Sequence, residues 1–371
     1  MTSLPWQQIL LSIGFLCAIG LVLSILLIIA EKKILNYGTC NIDINNGNRN
    51  IPVEGGSSLL SSLADNEIFI PSACGGRGTC AYCKVQVKSG GGITGPIEIP
   101  YLSKDELEKN VRLSCQVKVR KDLEITIPEE LFSVKKFKAK VTEKKPLTHD
   151  IIEFKMELIS PAEIEYKAGQ YVQLESEKYK GRESVNRAYS ISSIPSDSKN
   201  IELMIRKVPD GICTTWVFDH VEAGQEVAFS GPYGDFGLTE TDAPIIFVAG
   251  GSGMAPIWSI LRDMKEKGIN RKALYFFGAL TEKDLFYTEE LKAMEKDLHD
   301  FKYIPALSNE PENSSWQGER GLVTDVLKSR IPDMSGYEAY LCGSPGMIDA
   351  CVEVMKDSGI PETDIFFDKF A

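Results

Sequence analysis

Positive charge is scarce in this sequence, and its scarcity excludes one broad class of function. The 371 residues include 41 Lys and Arg against 52 Asp and Glu, so the formal net charge is -11. A nucleic-acid-binding surface needs clustered Lys and Arg to contact phosphate, so we expect no nucleic-acid partner. With 43% hydrophobic and 25% charged residues the composition is that of a folded protein. This length predicts two or three domains.

The cysteines do not suggest a disulfide framework. The nine cysteines are odd in number and unevenly spread, which fits poorly with paired disulfides in a chain of this size. The sequence has no internal repeat and no low-complexity tract. We therefore expect distinct globular modules in a reducing compartment.

Charge is absent from the 22 residues between Ile9 and Ala30. As a helix this run would be about 33 Å long at about 1.5 Å per residue, enough to cross a bilayer. No Lys or Arg precedes the run, it is too long for the apolar part of a signal peptide, and no clear small-residue cleavage site follows it. We therefore favour a membrane anchor over a signal peptide. Lys32 and Lys33 follow the run, and the positive-inside rule then places the rest of the chain in the cytoplasm.

The remaining sequence predicts three modules. Two short strand patterns around Asn46-Gly47 and a short helix capped by Ser57 precede a cysteine-rich loop, which is typical of a compact α+β unit. Short β-like runs with a single plausible helix then indicate a small antiparallel barrel. Alternating apolar strands and helices at the end indicate a parallel sheet with crossovers. We place the transmembrane helix at 9–30 and the three domains at 36–131, 134–238 and 242–371.

Three cysteines lie within ten residues in "CGGRGTCAYC", and a fourth follows in "RLSCQV". Cys74, Cys80, Cys83 and Cys115 have the spacing C-x5-C-x2-C-x31-C. Zinc sites usually have two matched pairs, and only one C-x2-C is present. A plant-type two-iron cluster takes three thiolates from a tight loop and the fourth from a distant strand, although its usual first gap is one residue shorter. The intervening glycines let the backbone curl and turn N–H groups towards sulfur. We favour a 2Fe-2S cluster, and zinc and disulfides are the alternatives.

A second motif, "RAYS", ends at Ser190 and is followed by "DGICTTW". The second stretch places a glycine turn at the start of a helix, where free N–H groups and the helix dipole favour an anion such as a diphosphate. Arg187 would add a forked cation, and Tyr189 an aromatic surface for a flat ring. Taken alone the motif is weak, and the alternative is an ordinary strand with one exposed arginine.

Two glycine-rich turns, in "FVAGGSGMAP" and "YLCGSPGM", each end an apolar strand. The first departs from G-x-G-x-x-G by a proline at the third glycine position. Ligands of open α/β sheets bind at the carboxyl ends of the strands, so together the turns favour a dinucleotide. Cys342 in the second turn is either a buried strand-end thiol or a neighbour of the nicotinamide. Glu282 and Asp284 offer carboxylates where a 2′-phosphate would need cations, which favours NADH over NADPH unless both only face solvent.

In this order the motifs resemble the ferredoxin-NADP reductase superfamily fused to an N-terminal two-iron ferredoxin domain, over nearly the whole chain. With the anchor, "ACGGRGTCAYCKVQVKSGGG" and "PEELFSVKKF" are similar to the F subunits of the sodium-translocating NADH:quinone oxidoreductases. The resemblance implies a multidomain chain with a transmembrane helix, an α+β β-grasp ferredoxin domain, an antiparallel β-barrel FAD domain and an α/β Rossmann-like NAD domain. The implied cofactors are FAD, a 2Fe-2S cluster and NADH. The implied partners are other membrane subunits of a multi-subunit NADH:quinone oxidoreductase in the bacterial cytoplasmic membrane, through which electrons reach quinone.

The resemblance also implies residue roles. FAD would be held by the "RAYS" residues and, through its diphosphate, by the start of the following helix: Arg187, Ala188, Tyr189, Ser190, Gly211, Cys213, Thr214 and Thr215. NADH would be framed by Gly250, Gly251, Ser252, Gly253, Cys342 and Gly343. Phe370 in the terminal "FFDKFA" resembles the aromatic residue that covers the flavin. The expected catalytic residues are Ser190, Cys342 and Phe370.

The implied chemistry joins these modules. NADH gives up two electrons at once as a hydride whereas an iron–sulfur cluster accepts one, so a flavin between them splits the pair. No general acid or base is needed, which agrees with a chain that has only three histidines. A single helix without an ionisable residue cannot carry sodium, so other subunits would move the ion.

Two other functions stay open. The segment between "AGQYVQL" and "RAYS" is shorter than is usual for these F subunits, and "DKFA" is closer to reductases of bacterial oxygenases. The first alternative is therefore the reductase component of a phenol hydroxylase or a ring-hydroxylating oxygenase, although such reductases normally lack an anchor. The second is a redox-sensing or electron-carrying membrane protein with little turnover, against which the complete flavin and nucleotide motifs argue.

Overall fold

The computed structural model describes residues 6–34, 37–72 and 74–370, with side chains except at 7–9 and 26–34. It divides into two compact units. The first comprises Met1–Ile70 and Gly76–Phe132, and the second comprises Pro71–Gly75 and Ser133–Ala371. The three predicted domain ranges stay predictions.

The chain begins with helix α1 (Trp6–Ile34), which contains the uncharged run from Ile9 to Ala30. Within the part of the chain that the structure describes, no helix combines the length and the apolar character needed to cross a membrane. The predicted transmembrane helix at 9–30 therefore stays a prediction.

The rest of the first unit is a five-stranded mixed sheet with two short helices, which agrees with the predicted α+β module. Its strands are β1 (Thr39–Ile44), β2 (Arg49–Glu54), β3 (Lys84–Ser89), β4 (Val111–Leu113) and β5 (Leu123–Thr126), and its helices are α2 (Leu59–Ala64) and α3 (Lys104–Glu108). The strand order is β2-β1-β5-β3-β4. Alternate side chains of β1, at Cys40, Ile42 and Ile44, are buried in the core of the unit, as the two-residue period of a strand dictates.

Two local predictions in this unit can be compared with the structure. The hairpin at Asn46-Gly47 is present, with left-handed backbone at both residues (φ 55° and 87°), as tight hairpin turns require. The predicted cap of α2 at Ser57 is wrong by one residue. Ser58 has the extended backbone of an N-cap, and its hydroxyl accepts a hydrogen bond from the Ser61 N–H.

A six-stranded antiparallel sheet opens the second unit and matches the predicted barrel. Its strands are β6 (Lys135–Pro146), β7 (Ile151–Ser160), β8 (Tyr171–Glu175), β9 (Asn186–Ser190), β10 (Asn200–Arg206) and β11 (Glu226–Tyr233), and its helix is α4 (Ile212–His220). The strand order is β10-β7-β6-β11-β8-β9. A bridge between Ile191 and Leu203 joins the two ends of this order, so the sheet closes on itself.

A six-stranded parallel sheet with crossover helices completes the second unit, as the alternating pattern predicts. Its strands are β12 (Ile245–Gly250), β13 (Ala273–Ala279), β14 (Phe301–Leu307), β15 (Glu319–Arg320), β16 (Glu338–Gly343) and β17 (Ile365–Lys369). Its helices are α5 (Met254–Lys267), α6 (Thr288–Asp297), α7 (Val323–Arg330) and α8 (Pro345–Asp357). The strand order is β15-β14-β13-β12-β16-β17. Strands β13 to β15 are added on one side of β12 and strands β16 and β17 on the other, so the order of strand addition reverses at β12. Such a switch point opens a crevice at the carboxyl ends of the central strands.

A buried carboxylate anchors the opposite, amino edge of this sheet. Glu338, at the start of β16, accepts hydrogen bonds from the hydroxyls of Thr239, Thr241 and Tyr340 at 2.6, 2.7 and 2.8 Å, and from the Arg271 guanidinium at 2.7 Å. Burial alone would raise the pKa of Glu338. The hydrogen bonds from Thr239, Thr241 and Arg271 outweigh it and lower the pKa to about 2.

This carboxylate gives a testable pH dependence of stability. Because the folded pKa of Glu338 lies below its ordinary value of 4.5, its contribution is present above pH 4.5 and is lost as the pH falls towards 2. We expect Glu338→Gln to lower the free energy of unfolding by roughly 3–5 kcal/mol at pH 7, because it leaves Arg271 buried and unpaired. Urea unfolding at pH 7 and at pH 4 should show a smaller difference between the two proteins at pH 4. An equal difference at both pH values would contradict this assignment.

Candidate electron-transfer site

The cysteine loop has the left-handed backbone that its glycines allow. Gly75, Gly76 and Gly78 have φ of 66°, 83° and 80°. A Cβ atom placed on Gly78 would lie 2.9 Å from both the Gln116 amide nitrogen and the Ile97 side chain, so both would have to move, and the φ of 80° also favours glycine. Successive residues in such conformations turn their N–H groups towards one side, where an anionic group is stabilised.

Part of the predicted ligand set is brought together. The thiols of Cys83 and Cys115 lie within hydrogen-bonding reach, and this contact together with burial raises the pKa of Cys83. The Gln116 amide donates to the Cys115 sulfur at 3.3 Å and lies 3.4 Å from the Gly76 carbonyl oxygen. Thiolate donors of this kind suit iron–sulfur clusters and zinc. The donor chemistry and the glycine-lined loop therefore fit a 2Fe-2S cluster.

The complete four-cysteine set stays a prediction. Among the described residues no group of three or more Cys, His, Asp or Glu side chains is arranged to hold a metal ion. Cys74 belongs to the segment grouped with the second compact unit, and Ala73 lies outside the described residues. The sequence predicts packing roles for the other five cysteines. Cys40, Cys213, Cys342 and Cys351 are buried as this requires, whereas Cys17 is exposed.

The predicted FAD residues lie on β9 and at the start of α4. Gly211 precedes the helix and has extended backbone, and a Cβ atom there would lie 2.5 Å from the Thr214 hydroxyl. The Tyr189 hydroxyl is within hydrogen-bonding reach of the Cys213 thiol, and burial raises the pKa of Tyr189 and, to about 11, that of Cys213. The structure thus joins the "RAYS" strand to the helix N-terminus, where an anion is favoured.

Several other predicted flavin residues have clear positions. Ala188 and Ser190 face Gln173 and Tyr171 across the β8–β9 pair, and Ser190 is buried. The Arg187 guanidinium donates to the Asn186 carbonyl at 2.7 Å. At the first turn of α4, the Thr215 N–H donates to the Gly211 carbonyl.

A residue that the sequence did not reveal, Gln173, also supports a bound ligand beside β8 and β9. Its side chain is buried in β8 between Ser230 of β11 and Ala188 of β9. The amide nitrogen has no hydrogen-bond partner among the residues that the structure describes. An unpaired buried donor costs about 1–3 kcal/mol. A bound group with hydrogen-bond acceptors, such as a flavin, would remove this cost.

The first glycine turn leads from β12 into α5. Gly251 has φ of 56°, and residues Gly251–Gly253 form a 3-10 turn. A Cβ atom placed on Gly253 would lie 2.3 Å from the Cys342 carbonyl oxygen. The two predicted nucleotide turns are therefore in direct backbone contact at the carboxyl edge of the sheet, which fits a dinucleotide across the switch point.

Phe370 lies at the same carboxyl edge of the parallel sheet. The Phe370 N–H donates to the Gly343 carbonyl at 2.8 Å, so Phe370 lies beside the second turn. Asp368 of β17 lies opposite Cys342 of β16. Burial raises the pKa of Asp368 to about 6, and burial followed by this carboxylate raises the pKa of Cys342. The Cys342 thiol is therefore neutral. The sequence did not single out Asp368, because only the pairing of β16 with β17 places it opposite Cys342.

The predicted acidic pair lies after β13, but one member is already engaged. The Asp284 carboxylate accepts hydrogen bonds from the N–H and hydroxyl of Thr281, both at 2.9 Å. The Glu282 N–H donates to the Glu310 carboxylate at 2.8 Å, so Glu310 is a third carboxylate here that the sequence did not reveal. The preference for NADH that we based on this pair stays a prediction.

Three family models match the chain in the order of its modules. They are the 2Fe-2S iron-sulfur cluster binding domain over 42–120, the oxidoreductase FAD-binding domain over 138–237 and the oxidoreductase NAD-binding domain over 247–353. The three predicted cofactors, a 2Fe-2S cluster, FAD and NADH, agree with these matches.

Curated relatives match over nearly the whole chain. It is 33% identical to the F subunit of the Na(+)-translocating NADH-quinone reductase of Idiomarina loihiensis over 406 positions, covering 98% of this chain and 99% of that protein. The corresponding F subunits of Neisseria meningitidis and Klebsiella pneumoniae are also 33% identical, and the matches cover 98% of this chain and 100% of each. The Idiomarina alignment is longer than this chain of 371 residues, so it contains gaps in this chain.

Solved structures show the same architecture. An Amycolatopsis cytochrome P450 reductase, GcoB, is 28% identical with a TM-score of 0.73, and the match covers 90% of this chain and 99% of that one. The ferredoxin reductase of carbazole 1,9a-dioxygenase is 26% identical with a TM-score of 0.70 and the same coverage. This chain therefore shares its fold with these two reductases over nine tenths of its length.

Proposed function

Because the chain belongs to the family of the F subunits of Na(+)-translocating NADH-quinone reductases, we propose that it is the electron-input subunit of a membrane-bound NADH:quinone oxidoreductase. The chain is a flavin- and NADH-dependent oxidoreductase with a 2Fe-2S domain. The observation that carries the proposal is the 33% identity over 98% of the chain, with all three cofactor domains in one order.

Bound FAD would supply hydride acceptance from NADH and single-electron delivery to the cluster. The chain's own residues hold and orient these groups. Arg187 and the N-terminus of α4 would neutralise the FAD diphosphate, and Tyr189 would pack on the ring. The turns at Gly251–Gly253 and at Gly343 would hold NADH, and Phe370 would cover the reactive face from the chain end. Cys74, Cys80, Cys83 and Cys115 would provide the cluster ligands.

The membrane part of the proposal rests on the sequence near the N-terminus and on the relatives. The uncharged run from Ile9 to Ala30 has the length of a single bilayer span, and the following lysines favour a cytoplasmic location for the cofactor domains. The named complex of the relatives supports partner subunits that receive the electrons and reduce quinone. Any sodium transfer would belong to those partners, because the run has no ionisable side chain.

An anaerobic titration of the full chain tests this function. The protein, purified in detergent with its flavin and iron, is mixed with NADH while absorbance follows the flavin and EPR follows the cluster. We expect flavin bleaching first and a reduced 2Fe-2S signal afterwards, with a much slower reaction for NADPH. Absence of flavin, or bleaching by NADPH alone, would overturn the proposal.

The structural comparison favours one second candidate. Two solved structures with a similar fold are the reductases of a cytochrome P450 and of a carbazole dioxygenase, and each match covers 90% of this chain. A reductase that serves a soluble oxygenase would share the NADH-to-cluster chemistry and differ in its acceptor. Copurification of the full chain with membrane proteins that reduce quinone in the presence of NADH would separate the two functions. A soluble oxygenase as the sole acceptor would favour the second.

A further inference from the structure

The antiparallel barrel and the parallel sheet of the second unit meet at the start of β7. A Cβ atom placed on Gly251 would lie 3.8 Å from the Ile151 side chain and 3.6 Å from the Arg206 guanidinium. Arg206 ends β10, the neighbour of β7, and its guanidinium is held at 2.6 Å by the Asp150 carboxylate. The first nucleotide turn therefore packs on this corner of the barrel.

Two residues further along β7, Glu153 makes a direct link to the parallel sheet. The Tyr287 hydroxyl donates a hydrogen bond to the Glu153 carboxylate. Tyr287 caps α6 with left-handed backbone (φ 53°), and its ring stacks on Trp258 with centroids 4.8 Å apart and planes 9° apart. Trp258 belongs to α5, the helix that starts at the nucleotide turn. The phenol thus connects the barrel to both α5 and α6.

Glu153 is 5% exposed, so its carboxylate depends on protein partners in place of water. Lys155 lies 3.3 Å from it and also pairs with Glu143 and Glu202. Burial would lower the pKa of Lys155, but Glu153 and Glu202 outweigh it and raise the pKa. Burial and then Glu153 raise the pKa of Tyr287, so the phenol remains a neutral donor.

A second link reaches α5 from the same network. The Arg262 guanidinium of α5 donates to the Glu202 carboxylate at 2.6 Å and to the Ser192 carbonyl at 3.2 Å. Glu202 is on β10 and shares Lys155 with Glu153. The network therefore fixes α5, and with it the nucleotide turn at its start, against the barrel strands β7 and β10.

We propose that Glu153 and Tyr287 form a latch that positions the NADH-binding turn against the FAD-binding barrel for hydride transfer. The inference rests on the proposed function, because it concerns the approach of nicotinamide to flavin. Reacting atoms must be held about 3–3.5 Å apart, and a displacement of about 1 Å can slow a reaction about 100-fold. Neither latch residue needs to contact NADH or FAD, so both are positioning residues.

Rapid mixing of full-length, FAD-loaded protein with NADH tests the latch. The variants are Tyr287→Phe, Glu153→Leu, which has no hydrogen-bond acceptor, and the double variant, and each rate is taken per bound flavin so that partial loading does not affect it. We expect each single change to slow flavin reduction at saturating NADH about tenfold, with the apparent NADH affinity nearly unchanged. The double variant should be no more than about twofold slower than either single variant, because both changes remove one interaction.

Tyr275→Phe is the matched control. Tyr275 is a fully buried tyrosine of β13 in the parallel sheet of the second unit, and its hydroxyl has no hydrogen-bond partner among the described residues. Its loss should leave the rate of flavin reduction unchanged. A role of Tyr287 in stability alone would lower the melting temperature or the FAD content of the variant while the rate per flavin stayed at the unaltered level, and that result overturns the latch. Additive slowing in the double variant would also overturn it. If the unaltered protein does not bleach with NADH, the proposed function itself fails.

Discussion

Replacing Cys83 with alanine is expected to remove the 2Fe-2S cluster while the chain still oxidises NADH with its flavin. The Cys83 thiol is buried and in contact with Cys115, which places two of the four predicted ligands together. Loss of a group that only hydrogen-bonds to a metal ligand typically costs about 10- to 100-fold in metal affinity, so loss of a ligand should cost more. Iron content and the EPR signal after reduction should fall to background. Flavin bleaching by NADH should continue at the original rate, because the FAD and NADH residues belong to the other compact unit.

Cys40→Ala is the matched control for this result. Cys40 is also a buried cysteine of the first unit, but it lies on β1 in the apolar core and outside the predicted ligand set. Its replacement should lower the free energy of unfolding by on the order of 1 kcal/mol and leave the cluster signal intact. Retention of the cluster in Cys83→Ala would remove Cys83 from the ligand set. Loss of the cluster in both variants would show that the signal depends on packing and not on the ligand.

The architecture could be predicted from the sequence because its signals are local. Alternating polarity, apolar runs and glycine-rich turns each lie within a few residues, and the strands β12, β13, β14 and β16 coincide with such apolar runs. The glycines of the nucleotide turns were also visible, since Gly251 has positive φ and Gly253 lacks space for a side chain. Local backbone demands of this kind leave a mark in the residue type itself.

Contacts between segments that are distant in sequence could not be predicted in this way. Glu153 and Tyr287 are 134 residues apart, and neither lies in a motif. Asp368 becomes notable only because β17 pairs with β16 and places it opposite Cys342. The sequence does not distinguish Gln173 from other glutamines in strands. Only the described structure shows that its buried amide nitrogen has no hydrogen-bond partner. The cap at Ser58 in place of Ser57 has a related cause, because either serine of the pair could cap α2 and only the backbone decides.

Gly253→Ala is expected to damage NADH oxidation strongly while FAD remains bound. Gly253 has φ of -61°, which any residue adopts, so the reason for glycine is space and not backbone conformation. The added Cβ atom would lie 2.3 Å from the Cys342 carbonyl oxygen and 2.9 Å from the Gly343 nitrogen, both of which are backbone atoms of β16. The two nucleotide turns must then separate. We expect a rise in the NADH concentration needed for half-saturation and a fall in the rate of flavin reduction of up to about 100-fold.

The same clash should lower the free energy of unfolding by about 1–3 kcal/mol, as overpacking of a fixed core does. Gly346→Ala separates this clash from a general effect of replacing glycine near the second turn. Gly346 is in α8, and a Cβ atom there would meet nothing within 4 Å. Alanine at that position should therefore raise the free energy of unfolding by up to about 1 kcal/mol through helix propensity. Flavin reduction by Gly253→Ala at the unaltered rate, with unaltered stability, would mean that the turns can separate freely and that their contact does not shape the NADH site. A large loss in Gly253→Ala together with unchanged FAD content would place the NADH site where β12 and β16 end.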